Sequence, residues 1–190
     1  MTDAEPPRNL GLVRDFVNTS EPQVGTDQLV AATASACLSR LGLTAANDPV
    51  PAADLALLVG VREGLREVLL GHAGHEVRSS ALTELDGLLR GVPVTYRFAV
   101  GSAPLSAVED RVGHRVVAAV LSAVSVTTPQ EWGRLKVCAR DSCRWAFYDG
   151  SRNRSGRWCS MAGCGNIVKM RRAYRTRTAT SSEPSGSGSA

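Results

Sequence analysis

No apolar run in this sequence approaches the roughly 20 residues that a membrane-spanning helix requires, so no membrane partner is expected. The opening, MTDAEPPRNLGLV, lacks the basic segment and apolar stretch of a secretion signal, which points to the cytoplasm. There is no internal repeat, no glycine-rich phosphate loop, no pair of catalytic carboxylates and no Ser–His–Asp set. These absences argue against an enzyme. Histidine is scarce: His72 and His75 have no cluster of Cys or carboxylates around them and read as part of a solvated loop. Acidic residues are nearly missing from one region. Between residues 134 and 177 two Asp face 12 Lys and Arg, whereas the rest of the chain has 16 acidic residues against 10 basic ones. The formal net charge of +4 therefore averages a basic C-terminal module and an acidic body, the footprint of a nucleic-acid-binding protein.

What the basic region does have is cysteine. Cys138 and Cys143 are separated by four residues, Cys159 and Cys164 repeat that spacing, and fifteen residues lie between the pairs. Two tight pairs at this distance fit a tetrahedral structural zinc site, one Zn(2+) per chain. Four sulfur ligands leave no open position for water, so catalytic zinc is not expected. Two disulfides are the competing arrangement, disfavoured in the cytosol. The fifth cysteine, Cys37, reads as a buried free thiol.

The N-terminal part reads as mainly helical. Residues 1–9 are polar and expected to be loose. LGLVRDFVNT, residues 10–19, carries Asp15 and Asn18 around an apolar pair and suggests capping or turn-making. Helices are expected over 26–41, 52–70, 79–90 and 105–126 from their apolar spacing. Residues 93–100 alternate like a strand, paired near 10–17 or 104–108. In the helix over 52–70, Arg62 and Arg66 interrupt the apolar stripe. Their heads are expected to reach water or a carboxylate such as Glu63 or Asp15. A sharper alternative joins Asp15, Asn18 and Arg62 in one polar, ligand-binding pocket.

In the module, a short strand over 132–137 is followed by Trp145–Tyr148 and Arg157–Cys159, expected as a hairpin with a flexible basic tip at Arg152 and Arg154. A helix from Gly165 to Arg177 has Ile167, Met170 and Tyr174 on one face, expected to dock on that hairpin. Lys169, Arg172 and Arg175 line another face, with Arg171 beside them. Residues 178–190 are low-complexity and expected to be disordered. The fold class is thus α+β: a predominantly helical domain over 10–130 with a short antiparallel sheet, and a treble-clef-like zinc-bound hairpin/helix module over 131–177.

CARDSC at 138–143, FYDGSRNR at 147–154 and WCSMAGCGN at 158–166 resemble the CGNR zinc-finger family. RDFVNT at 14–19 resembles the opening motif of the ABATE domain, which stands before that finger in bacterial proteins assigned to stress-induced transcription regulation. The resemblance implies that Cys138, Cys143, Cys159 and Cys164 ligate zinc. Gly165 and Asn166 match the signature, and Ile167 stands where it has Arg.

The function expected is a cytoplasmic, nucleoid-associated transcription regulator, in which the finger binds double-stranded DNA. The contacts are assigned to Arg152, Arg154, Arg157, Lys169, Arg171, Arg172 and Arg175. The N-terminal domain would sense a small-molecule effector or mediate a homodimer. The alternative is an adaptor that uses the finger on RNA or protein. In that case Trp145, Phe147, Tyr148 and Trp158 would be candidate stacking groups, although a hairpin this small needs them as its own core.

Overall fold

The computed structural model describes residues 5–98, 100 and 104–180, and for Arg172 and residues 175–180 the backbone alone. Seven α-helices and three two-stranded antiparallel pairs make up the described chain. The helices are α1 (Arg8–Val17), α2 (Ala34–Arg40), α3 (Ala52–His72), α4 (Ser79–Arg90), α5 (Val112–Ser125), α6 (Pro129–Trp132) and α7 (Asn166–Thr180). The strands are β1 (Ser20–Glu21), β2 (Thr26–Asp27), β3 (Val94–Tyr96), β4 (Leu105–Ala107), β5 (Leu135–Val137) and β6 (Ala146–Tyr148). No helix among the described residues is long and apolar enough to cross a membrane.

The core sits where α1, α3 and α5 meet. Leu10, Val13, Phe16 and Val17 fall on one face of α1 and are fully buried against Leu58, Val61, Leu65 and Leu69 of α3 and Val116, Val117 and Val120 of α5. These residues recur at helical spacing, so one face of each helix is apolar. Each large side chain removed from water contributes about 1.5–3 kcal/mol. α4 lies close on α3 because Gly60 and Gly64 have no side chain: a Cβ there would come within 2.6 Å of Leu88 and 2.8 Å of Leu85.

Several local expectations need correcting. Residues 8–17 form helix α1, whose apolar residues repeat toward one core, so order begins inside the 1–9 stretch expected to be loose; the capping and turn expected around Asn18 are kept only at Asn18 and Thr19, which end the helix. Helix α2 is confined to Ala34–Arg40: Thr26 and Asp27 pair with Glu21 and Ser20 instead, and Asp27 accepts a hydrogen bond from the Leu29 backbone. β3 pairs with residues 105–107, so α5 begins only at Val112. The 178–190 tail was expected to be disordered, yet α7 runs on to Thr180; residues 1–4 and 181–190 lie outside the described residues.

His72 is the largest departure. It ends α3, packs edge-on against Trp132 at 5.1 Å, and Nδ1 lies 2.8 Å from the Leu135 carbonyl. Burial pulls its pKa below the ordinary value. It is a structural tie, because the apolar end of α3 packs under β5 and sets the half-buried ring beside the Leu135 carbonyl.

The module is continuous with this core. β5 and β6 pair antiparallel, Leu135 opposite Tyr148, Lys136 opposite Phe147 and Val137 opposite Ala146. Leu135, Val137 and Ala146 are fully buried in the same apolar cluster as α1, α3 and α5.

Candidate metal centre and basic face

The first cysteine pair spans the turn of the β5–β6 hairpin. Cys138 follows β5 and donates its backbone N–H to the Trp145 carbonyl; Cys143 closes the turn just before β6. Arg144 takes the left-handed conformation, φ 53°, which turns the chain back into β6. The second pair is carried by the segment before α7. Cys164 lies in a π-turn, Met161–Gly165, in which Ser160 Oγ accepts the Gly163 N–H and the Ser160 carbonyl accepts the Gly165 N–H.

The four sulfur atoms lie within 4.8 Å of one another. Cys143 and Cys159 Sγ are 3.7 Å apart, and Cys159 and Cys164 Sγ are 3.8 Å apart. A disulfide bond is about 2.05 Å, and all four thiols are free. Four sulfurs at about 2.3 Å from one zinc ion, set tetrahedrally, stand about 3.8 Å from each other. The observed spacing therefore fits zinc, and Cys138, Cys143, Cys159 and Cys164 can hold one ion.

The surroundings of the sulfurs suit a charged cluster. Backbone N–H groups of Arg140 and Cys159 donate to Cys138 Sγ, and that of Trp145 to Cys143 Sγ. Arg140 Nη1 reaches Cys164 Sγ at 3.5 Å. Such outer contacts fix the orientation of metal ligands and stabilise thiolates. Hydrogen bonds from Cys143 and Cys159 pull the Cys138 thiol down, and donation to Cys138 pushes Cys143 and Cys159 up. One thiolate is tolerated and further ones repel it; a dication removes that repulsion. Trp145 and Trp158 pack against the cluster as half-buried walls.

Lys136 and Asp149 were not singled out as site residues, and they organise the loop between the cysteine pairs. Lys136 Nζ bonds Asp149 Oδ2 at 2.8 Å and the carbonyls of Arg154 and Gly156 at 2.6 and 3.3 Å. Asp149 also accepts the N–H groups of Ser151 and Gly156. Both residues are buried. Burial alone would raise the Asp149 carboxyl, but Lys136 and these N–H groups hold it down at about 2. Gly156 fits because any Cβ there would lie 2.7 Å from the Asp149 carboxyl. The expected β6–Arg157 hairpin with a flexible tip is thus replaced. β6 pairs with β5, and the 149–157 loop wraps a buried ion pair. A signal was present in the sequence, a lysine alternating with apolar residues in LKV, but its carboxylate partner came from the opposite strand's end.

Arg152, Arg154 and Arg157 project from this loop as exposed side chains, and Lys169 and Arg171 are exposed on α7. Arg157 lies over the Trp158 ring, 5.6 Å from its centroid. The side chains of Arg172 and Arg175 lie outside the described residues. On α7, Ile167 and Val168 are half-buried, while Met170 and Tyr174 are about 70% exposed. The apolar face expected to dock on the hairpin is therefore buried only at its first turn, because the helix runs past the small module.

Asp15, Asn18 and Arg62 do not make one pocket. Asp15 pairs with Arg14 at 2.8 Å at the surface. It lines an open cleft of about 970 Å³ with Arg8, Asn9, Arg14 and Arg40. The Asn18 carboxamide bonds the backbone of Ala146, Nδ2 to the carbonyl at 2.9 Å and Oδ1 from the N–H at 2.8 Å. Arg62 grips Asp27 with Nη1 and Nη2 at 2.6 and 2.8 Å and bonds Glu63 through Nε at 2.8 Å. Burial works against its charge, yet Asp27 and Glu63 raise its pKa. Among the described residues, no hydrogen bond or ion pair joins the three. Each buried polar group satisfied itself with the nearest partner, as the low dielectric requires. Arg66, one turn further on, donates to the carbonyls of Val17, Ser20 and Arg144 and to Glu63.

Two family models match the chain. One, described as "CGNR zinc finger", covers residues 134–178. The other, described as "Putative stress-induced transcription regulator", is the ABATE domain and covers residues 10–141. They overlap over β5 and Cys138, where the structure has one continuous hairpin. No curated protein matches the chain. With its four sulfurs at zinc spacing and models spanning nearly the whole described length, the chain belongs to the ABATE family and carries a CGNR zinc finger.

Proposed function

We propose that the protein regulates transcription by binding duplex DNA through the basic face of its zinc module, and that it does so as a homodimer reading two half-sites. The observation that carries this reading is where the charge is left uncompensated. Of the two acidic residues in the module, Asp149 is buried on Lys136 and Asp141 pairs with Arg144. Arg152, Arg154, Arg157, Lys169 and Arg171 are exposed, and among the described residues none of them carries an ion pair. A strip of unpaired guanidinium and ammonium groups favours a polyanion. Phe147 is buried, Trp145 and Trp158 are half-buried against the cysteines and Tyr148 is half-buried on the core, so among the described residues Tyr174 alone is an exposed ring of the module, which favours duplex DNA over stacking on single-stranded RNA. No catalytic role is assigned.

The regulatory signal in this reading is a small anion held in the cleft beside α1, where Arg8, Arg14 and Arg40 outnumber Glu5 and Asp15. Thermal shift against a panel of carboxylates and phosphates checks that part.

The DNA part is tested by titrating zinc-loaded full-length protein with duplexes and single strands over a range of salt. Duplex affinity should fall linearly on a log–log plot with a slope of about −0.9 per phosphate contacted. Binding to no duplex at low ionic strength, or tighter binding to single-stranded RNA, overturns the reading.

A further inference from the structure

The zinc centre does not stand on its own module alone. Three residues of the helical body, far away in sequence, bond the backbone that carries its first ligand pair. Ala146 stands opposite Val137 in the β5–β6 pair, and both of its backbone polar groups turn away from β5 toward Asn18. The Asn18 carboxamide supplies the two hydrogen bonds that a further strand would supply. Arg66 Nη1 holds the Arg144 carbonyl at 2.7 Å, directly after Cys143, while its Nη2 holds Val17 and Ser20. His72 holds the Leu135 carbonyl at the start of the strand that leads to Cys138. Asn18, Arg66 and Ala146 are all buried, so water cannot replace a lost partner.

We propose that Asn18 and Arg66 are positioning residues for the zinc site, coupling zinc retention to the packing of α1 on α3. Arg66 is the pivot. Its guanidinium bridges the C-terminal end of α1, β1 and the cysteine turn at once, and it shares Glu63 with Arg62, which in turn grips Asp27 of β2. A shift of α1 along α3 cannot keep the Val17 and Arg144 carbonyls on one planar fork. Such a shift moves Cys143 relative to Cys164, whose position is set by the π-turn, and to Cys159, which stands just before that turn. By reciprocity of linked equilibria, zinc loss loosens the end of α1. The inference rests on the four-cysteine zinc site and not on DNA binding.

The test measures zinc release from full-length, zinc-loaded protein to a chromogenic chelator. Asn18→Ala and Arg66→Gln should release zinc faster than wild type, by about 10-fold, the lower end of the affinity loss that follows removal of a group bonded directly to a metal ligand, because both act one residue or more away from the cysteines. Leu38→Ala, a core truncation in α2, serves as the control of comparable thermal destabilisation. It should release zinc near the wild-type rate. Release from Leu38→Ala as fast as from Asn18→Ala would show a merely structural role and overturn the proposal. So would wild-type release from both Asn18→Ala and Arg66→Gln. Should both variants fail to fold, hydrogen exchange on the wild type decides. Removing zinc should expose the amides of residues 17–19 to faster exchange while those of α2 keep their protection. Unchanged protection at 17–19 overturns the coupling.

Discussion

The helical body and the zinc module solve the same problem with different materials. The body buries leucine, valine and phenylalanine from three helices around one centre, and its stability is spread over many contacts. The module's own cluster consists of Cys138, Cys143 and Cys164, with the half-buried Trp145, Trp158 and Cys159 against it. That is too little apolar surface to hold a fold. It relies on a metal, on one buried ion pair, and on strands borrowed into the body's core. The difference teaches that dispersed packing tolerates single changes, whereas a fold built on a few polar centres depends on each of them.

The comparison is broken most severely at the metal. Cys164→Ser, or chelation of wild type, should reduce zinc from one per chain to none by elemental analysis. The module loses on the order of 10 kcal/mol of support. Hydrogen exchange should show the 149–157 loop and α7 open while the middle of α3 and α5 stays protected. Loss of protection throughout α3 and α5 would show that the two regions are one cooperative unit.

Next is the ion pair. Lys136→Met leaves Asp149 buried without its cation and should cost about 3–5 kcal/mol, read as a lower melting temperature of the zinc-loaded protein. Replacing both partners, Lys136→Met with Asp149→Leu, should recover part of the loss.

In the body, Asp27→Asn removes one arm of the Arg62 fork. The cost should be about 1–3 kcal/mol, because Arg62 keeps Glu63. The Arg62 hydrogen bond holds the Asp27 carboxyl below its ordinary 3.8, against the opposing effect of burial. A lowered carboxyl contributes stability that is fully present above pH 3.8 and lost as pH falls through the lowered value. Thiols must give up protons to bind zinc, so acid releases the ion by protonating them, and this release is expected above the pH at which Asp27 takes up its proton. Acid titration should therefore show zinc release first and loss of the Arg62–Asp27 contribution second, the second step being absent in Asp27→Asn.

The smallest effect is at the exposed face. Arg154→Ala should leave zinc content unchanged and stability within about 0.5 kcal/mol of wild type. It should lower the salt slope of duplex binding by about one. An unchanged slope would remove Arg154 from the contact surface.

Features that depend on residues close together in the chain were legible before any fold was known. The cysteine spacing, the apolar period of α3, α4 and α5 and the deficit of acid over residues 134–177 are all local properties. The zinc-bearing module and mainly helical body follow from them. Partners were not legible where a buried polar group had to choose among distant ones. Asn18 bonds a residue 128 positions away, and Arg66 one 78 positions away. Only the docking of β6 beside α1 decides that Asn18 completes a strand edge instead of lining a pocket. Likewise β6 took β5 and not Arg157–Cys159 as its partner, because Leu135, Val137 and Ala146 could then enter the core. The two connections are equally long, eight residues each, so burial of three apolar residues decided the pairing and the arginines of the 149–157 loop were left on the outside.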